Sequence, residues 1–95
     1  MIIQMVKFET RLSAEEVSDV AQKRAPEFRK LPGLIQKYYV RGTRSNEYAG
    51  VYIWDSPESM KTYRESDLAA SIPHAYKVLG PPQVETYEVA FTLRD

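Results

Sequence analysis

The sequence predicts an α+β fold: one domain, residues 1–95, in which a four-stranded antiparallel sheet carries two helices on one face. Three observations point there. Ninety-five residues suit one domain and are too few for two. The periodic segments run strand, helix, strand, strand, helix, strand, with no linker, repeat or low-complexity run between them. A short, turn-rich stretch joins the second strand to the third, which makes that pair a hairpin and therefore antiparallel.

Each element has its own signal. Ile2 to Thr10 is rich in strand formers, with polar residues alternating toward its end, and reads as the first strand. Ser13 stands as a hydroxyl cap before Ala14-Glu15-Glu16, and Glu16 holds the position that a capping box requires. Val17, Val20, Ala21, Phe28 and Leu31 succeed it at helical spacing, an apolar stripe interrupted by Arg24. The helix is expected to run to about Lys30, where Pro32-Gly33 stops it. Pro26 removes one backbone hydrogen bond and is expected to kink or shorten it.

Leu34 to Arg41 is the second strand and Glu47 to Trp54 the third, joined through Gly42-Thr43-Arg44-Ser45-Asn46. Asp55-Ser56-Pro57 supplies a cap and a proline at the first helical position of the second helix, whose buried side is Met60, Tyr63 and Leu68. Pro73, Gly80, Pro81 and Pro82 break up the next stretch, leaving a short irregular or helical piece over 71–78. Val84 to Leu93 alternates as the fourth strand. This order is the split βαβ, ferredoxin-like arrangement. Its second sheet face needs cover that a 95-residue chain does not supply, and two copies packed face to face would supply it. A homodimer is therefore expected.

Composition narrows the function classes. Thirteen basic and thirteen acidic residues cancel, against the basic face of a nucleic-acid binder. There is no cysteine, so disulfides and thiolate-based metal or redox sites are excluded. No apolar stretch approaches the roughly 20 residues that span a bilayer. The N-terminal residues show neither a basic leader nor a cleavage site, and a soluble, cytoplasmic protein without membrane or nucleic-acid partners is expected. Seven tyrosines, three phenylalanines and one tryptophan suit cores, interfaces and pockets for flat organic molecules alike.

Gly33-Leu34-Ile35-Gln36-Lys37-Tyr38-Tyr39, then Ala49-Gly50-Val51-Tyr52-Ile53-Trp54-Asp55-Ser56, and the ending Gly80-Pro81-Pro82-Gln83-Val84-Glu85-Thr86-Tyr87, form a pattern that resembles a known family over nearly the whole chain. It is similar to the dimeric α+β barrel superfamily of the antibiotic-biosynthesis monooxygenase type, in its YdhR-like monooxygenase branch. Two positions depart from the pattern: Gln36 stands where relatives often carry tryptophan, and Ala49 replaces the first glycine of a Gly-Gly pair. The resemblance implies a dimeric barrel with a cavity between sheet and helices. There a flat polycyclic or phenolic substrate would meet oxygen with no cofactor, neither metal nor flavin.

Such chemistry needs a base and a dry pocket. His74, the only histidine, is the candidate catalytic base, because imidazole exchanges protons near neutrality; a histidine beside a proline in a loop is more often a surface residue. Tyr38, Tyr52, Trp54 and Tyr63 are candidate pocket walls or donors. Tyr48, Tyr52 and Trp54 share one side of the third strand, and Ala49, Val51 and Ile53 the other. One set meets the helices and the other the dimer mate, and the pattern leaves open which. Arg64, with Asp67, is a candidate for binding a polar or acidic group, against the ordinary reading of a solvated helix face. Lys37, Tyr39 and Arg41 form a polar side of the second strand, read as open to solvent or as a charged interface.

Haem-degrading members of the superfamily place a tryptophan on the second helix, an asparagine on the first strand and a histidine just beyond the second helix. This chain has Tyr63, Gln4 and Pro73 at those places, and haem is set aside. One histidine among scattered carboxylates shows no metal-ligand spacing. Three readings remain: a cofactor-independent monooxygenase acting on a small aromatic or polyketide-like molecule, a non-catalytic dimeric ligand-binding or stress-associated protein, and a structural dimer with no cavity.

Overall fold

A computed structural model describes residues 1–95. The elements run β1 (Ile2–Glu9), α1 (Ala14–Arg29), β2 (Leu34–Arg41), β3 (Glu47–Trp54), α2 (Pro57–Arg64), α3 (Asp67–Ala70), α4 (Ile72–Ala75) and β4 (Gln83–Glu88). All neighbouring strands are antiparallel, in the order β2-β3-β1-β4. This is the ferredoxin-like arrangement expected from the element order. No helix is long and apolar enough to cross a membrane.

The local signals act as their chemistry dictates. Ser13 Oγ accepts from the Glu16 N–H at 3.1 Å and Glu16 Oε1 from the Ser13 N–H at 2.9 Å, closing the capping box of α1. Ser56 caps α2 with Pro57 behind it. Gly33 takes a φ of +80°, and a side chain there would run into Ser59 and Asp55 at the start of α2. The Asp55 N–H donates to the Gly33 carbonyl at 2.9 Å, tying the end of β3 to the start of β2.

Two expectations need correction, and a third gains detail. Pro26 does not cut the first helix short; α1 continues through it to Arg29, because Phe28 beyond the proline is buried in the core and holds the last turn down. The fourth strand stops at Glu88 and not at Leu93. Its partner β1 begins at Ile2, and the last contact is the Val89 N–H donating to the Met1 carbonyl at 2.9 Å. Beyond it Phe91 and Leu93 are almost fully exposed. The stretch after α2 is two further helical turns, α3 and α4, fastened to the end of β1. There Thr10 bridges Val78, its hydroxyl donates to the Tyr76 carbonyl at 2.7 Å, and the Leu79 N–H donates to the Glu9 carbonyl at 2.8 Å.

The register settles which face of β3 meets the helices. Ile2, Gln4, Val6 and Phe8 pair with Trp54, Tyr52, Gly50 and Tyr48, and all of these lie on the helical side. The core is built there from Trp54, Tyr52, Tyr63, Phe28, Met60 and Ile72. The other face carries Ile3, Met5, Val51, Ile53, Tyr38 and Val40, with no layer of this chain over it.

Candidate active site

Between α1 and the sheet lies a cavity of about 680 Å³. Its origin is legible in the side chains. Along the cavity the face that α1 turns toward the sheet carries Ala14, Ser18, Ala21 and Ala25, spaced by three or four residues, and these small side chains leave the gap open up to Phe28, which packs against Tyr52. On the sheet side Gly50 adds no bulk either: a Cβ there would stand 3.1 Å from the Tyr52 ring and 3.3 Å from the Lys37 side chain.

The floor of the cavity is aromatic. Tyr52 stacks on Trp54, ring centres 6.1 Å apart and planes 4° from parallel, and both lie against Tyr63 at 5.3 Å. Buried polar tips are paired. The Trp54 Nε1–H donates to Gln4 Oε1 at 3.0 Å, and the Tyr52 and Tyr63 hydroxyls lie 3.1 Å apart. One hydroxyl of that pair donates to the other, which leaves a single O–H free to donate elsewhere. Burial pushes the phenol of Tyr52 far up, and raises Tyr63 to about 12 and Tyr76 to about 12. These hydroxyls stay protonated at neutral pH and serve as donors, not as bases.

Lys37 is the group in the cavity that can exchange a proton near neutrality. Its Nζ stands 3.5 Å from the centre of the Phe28 ring, 4.4 Å from Tyr39 and 4.6 Å from Tyr52. Burial lowers its ammonium from 10.5 to about 7, and the nearby Arg24 charge adds to the fall. The ring faces favour the ammonium and act against that descent. Arg24 itself is partly buried on α1, bonded to Ser71 Oγ at 2.6 Å, with its Nε buried and without a partner.

The sequence-derived candidates fall in different places. Tyr52 lines the cavity, and Trp54 and Tyr63 back it from the core. Tyr38 lies on the opposite sheet face, across from Val51, and is exposed. Arg64, the last residue of α2, and His74 on α4 are both exposed and outside the cavity lining. Gln36, the position that departs from the family pattern, sits across from Ile53 on the outer face and so does not shape the cavity.

The polar side of β2 is made more specific by the structure. The side of β2 carrying Lys37, Tyr39 and Arg41 lines the cavity; Tyr39 and Arg41 are at the same time exposed, in keeping with a side open to solvent, while Lys37 is partly buried. The cause is the β2–β3 register. An irregularity between Leu34 and Gln36 sets Lys37 across from Tyr52 and Tyr39 across from Gly50, on the helical side. The run of small residues along α1 was the one signal in the sequence.

Among solved structures the chain is similar to SnoaB, a cofactor-independent oxygenase from Streptomyces nogalater, at 14% identity and a TM-score of 0.77, covering 99% of this chain and 97% of that one. It is similar to a monooxygenase from the gene ActVA-Orf6 of Streptomyces coelicolor, solved with the ligand Nanaomycin D, at 18% identity and a TM-score of 0.75, covering 99% and 91%. NE2512 of Nitrosomonas europaea, a protein of unknown function, matches at 13% identity and a TM-score of 0.77, covering 99% and 93%. Identities at this level show the shared fold alone. No curated protein matches the chain. A family profile does match, over residues 2–90, which is nearly the full length, and the chain belongs to the family described as "Putative mono-oxygenase ydhR".

Proposed function

We propose that this protein is a cofactor-independent monooxygenase, working as a homodimer, that takes a small flat aromatic or polyketide-like molecule into the cavity between α1 and the sheet. The observation that carries the reading is Lys37: an amine lowered to about 7 and held against three aromatic rings inside a cavity large enough for several fused rings. The oxygenase activity of SnoaB and the monooxygenase activity of the ActVA-Orf6 protein lie in the same direction.

In this reading the neutral Lys37 amine removes a proton from an acidic methylene or phenol of the substrate. The ammonium so formed stays beside the carbanion or phenolate as its counter-ion. The electron-rich ring system then reduces dioxygen directly. For a methylene, one molecule of dioxygen converts the carbon to a carbonyl and yields one molecule of water. Both C–H bonds and the O–O bond break, one oxygen becomes the carbonyl, and the other leaves as water with the two hydrogens. The carbon supplies all four electrons, so no outside reductant is needed. The Tyr52–Tyr63 pair offers its free O–H to the oxygen on which charge develops. Tyr52 forms the flat wall, with Trp54 stacked behind it. His74, exposed on α4, is left without a part in proton transfer.

The test is oxygen uptake with a panel of polycyclic phenols and aryl ketones that carry an acidic methylene. One dioxygen should be consumed per product formed, and Lys37→Met should lower kcat/KM at least about a hundredfold with the fold intact. Tight binding across the panel with no oxygen uptake would refute the reading in favour of a non-catalytic binder. That alternative uses the same cavity but gives no role to a proton acceptor in it.

A further inference from the structure

The whole chain is electrically neutral, yet the cavity is not. Its lining contains Arg29, Lys37 and Arg41 against one carboxylate, Glu15. The ion pairs of the protein are Lys7 with Glu85 and Arg44 with Glu9 and Glu47, so neither lining arginine, nor Lys37 when it is protonated, has an acidic partner. The imbalance is also uneven along the cavity. Glu15 lies in the first turn of α1, beside the Ala14, Arg41 and Tyr48 end. The other end, where α1 finishes, holds Arg29 and Lys37 around the Tyr39 ring with no acid.

The charges of Arg29 and Arg24 both act on the Tyr39 hydroxyl, while burial dominates and keeps that hydroxyl protonated. It is therefore a donor standing in a positive field. A guanidinium with no acidic partner, beside a hydroxyl donor in an aromatic-lined cavity, favours a delocalised anion that can enter with its ring plane on Tyr52.

We propose that the cavity selects an aromatic molecule bearing a carboxylate, the carboxylate being held by the Arg29 guanidinium and the Tyr39 hydroxyl while the rings lie over Tyr52 and Lys37. The inference rests on the aromatic-cavity reading above and deepens it by naming the substrate class. Arg41 is assigned no share in it, because it lies at the Ala14 and Tyr48 end of the cavity.

Binding of 2-naphthoate and its uncharged isostere 2-naphthamide, measured by calorimetry at pH 7, tests the assignment. The acid should bind at least about tenfold more tightly than the amide. That preference should shrink as salt is raised. Arg29→Gln should bring the ratio to about one while leaving amide affinity in place, and Arg41→Gln should keep the preference. Equal binding of acid and amide by the unmodified protein would overturn the anionic assignment and leave the aromatic cavity standing. A preference that survives Arg29→Gln would overturn the role of Arg29. Failure of both probes to bind would overturn this inference together with the reading beneath it.

Discussion

Two side chains carry the clearest consequences at the scale of single residues. The Tyr52 and Tyr63 hydroxyls satisfy each other in a buried aromatic cluster. Tyr52→Phe leaves the Tyr63 hydroxyl without its partner, and the expected loss is about 1–2 kcal/mol in urea unfolding. Converting Tyr63 to Phe as well removes the orphan and should recover most of that loss; a double variant as unstable as the sum of the two singles would place the cost in packing instead. Lys37 makes a pH-dependent claim. Its ammonium titrates at 10.5 in the open chain and at about 7 when folded. Between those values the unfolded chain holds a proton that the folded one lacks, so stability rises with pH across the window. Below pH 7 the folded protein carries the full cost of a desolvated ammonium. Lys37→Met should therefore be more stable than the parent at pH 6, by about 2 kcal/mol after allowing for the ring faces, and the gain should fade toward pH 10. A gain that is flat with pH would mean that the ammonium is not desolvated.

At the scale of elements, the cavity is a property of α1. Ala21 is buried and faces it, so Ala21→Leu should place apolar volume in empty space. Thermal unfolding should show stability unchanged or raised by about 1 kcal/mol, while binding of any aromatic ligand drops sharply. A variant that binds as before would show that the ligand lies elsewhere. The same elements show how much a sequence discloses. β2 and β3 have the bounds expected of them, because strand-forming runs there are closed off by Gly33, by the Gly42–Asn46 turn and by the Asp55-Ser56-Pro57 cap. The end of β4 was not legible, since it depends on where β1 starts and not on the alternation of Val84 to Leu93. The passage of α1 through Pro26 was not legible either, because burial of Phe28 outweighs one lost backbone bond. Of the site, strand parity grouped Tyr52 with Trp54 and helix spacing put Tyr63 on a buried side, but which sheet face met the helices stayed open until the register was known. Lys37 was not legible, because a lysine next to exposed tyrosines reads as surface until the register across from Tyr52 is known.

At the scale of the whole molecule, the outer sheet face decides the assembly. Ile3, Met5, Val51 and Ile53 form its centre, Tyr38, Val40 and Tyr87 widen it, and no helix of this chain reaches them. A face of that breadth is more apolar than a lone 11.0 kDa domain keeps in water. Its charges are already provided for: Lys7 Nζ lies 2.7 Å from Glu85 Oε1, and Tyr87 donates to the other Glu85 oxygen at 2.6 Å. Covering the centre of the face therefore buries no unpaired charge, the usual obstacle to closing a polar surface; Glu9 and Glu47, which share Arg44, lie at its rim. The occupant best matched to a self-complementary apolar sheet is a second copy related by a twofold axis. Sedimentation at micromolar concentration should accordingly give twice the chain mass, with a melting temperature that rises with protein concentration. Val51→Lys puts an unpaired ammonium at the centre of the face and should weaken association at least about a hundredfold while the cavity, on the opposite side of the sheet, keeps its ligand. If the unmodified chain sediments as one copy, the outer face is not a dimer surface. If Val51→Lys dissociates the pair and also abolishes ligand binding, the cavity is completed by the partner, and the two faces of the sheet act as one device.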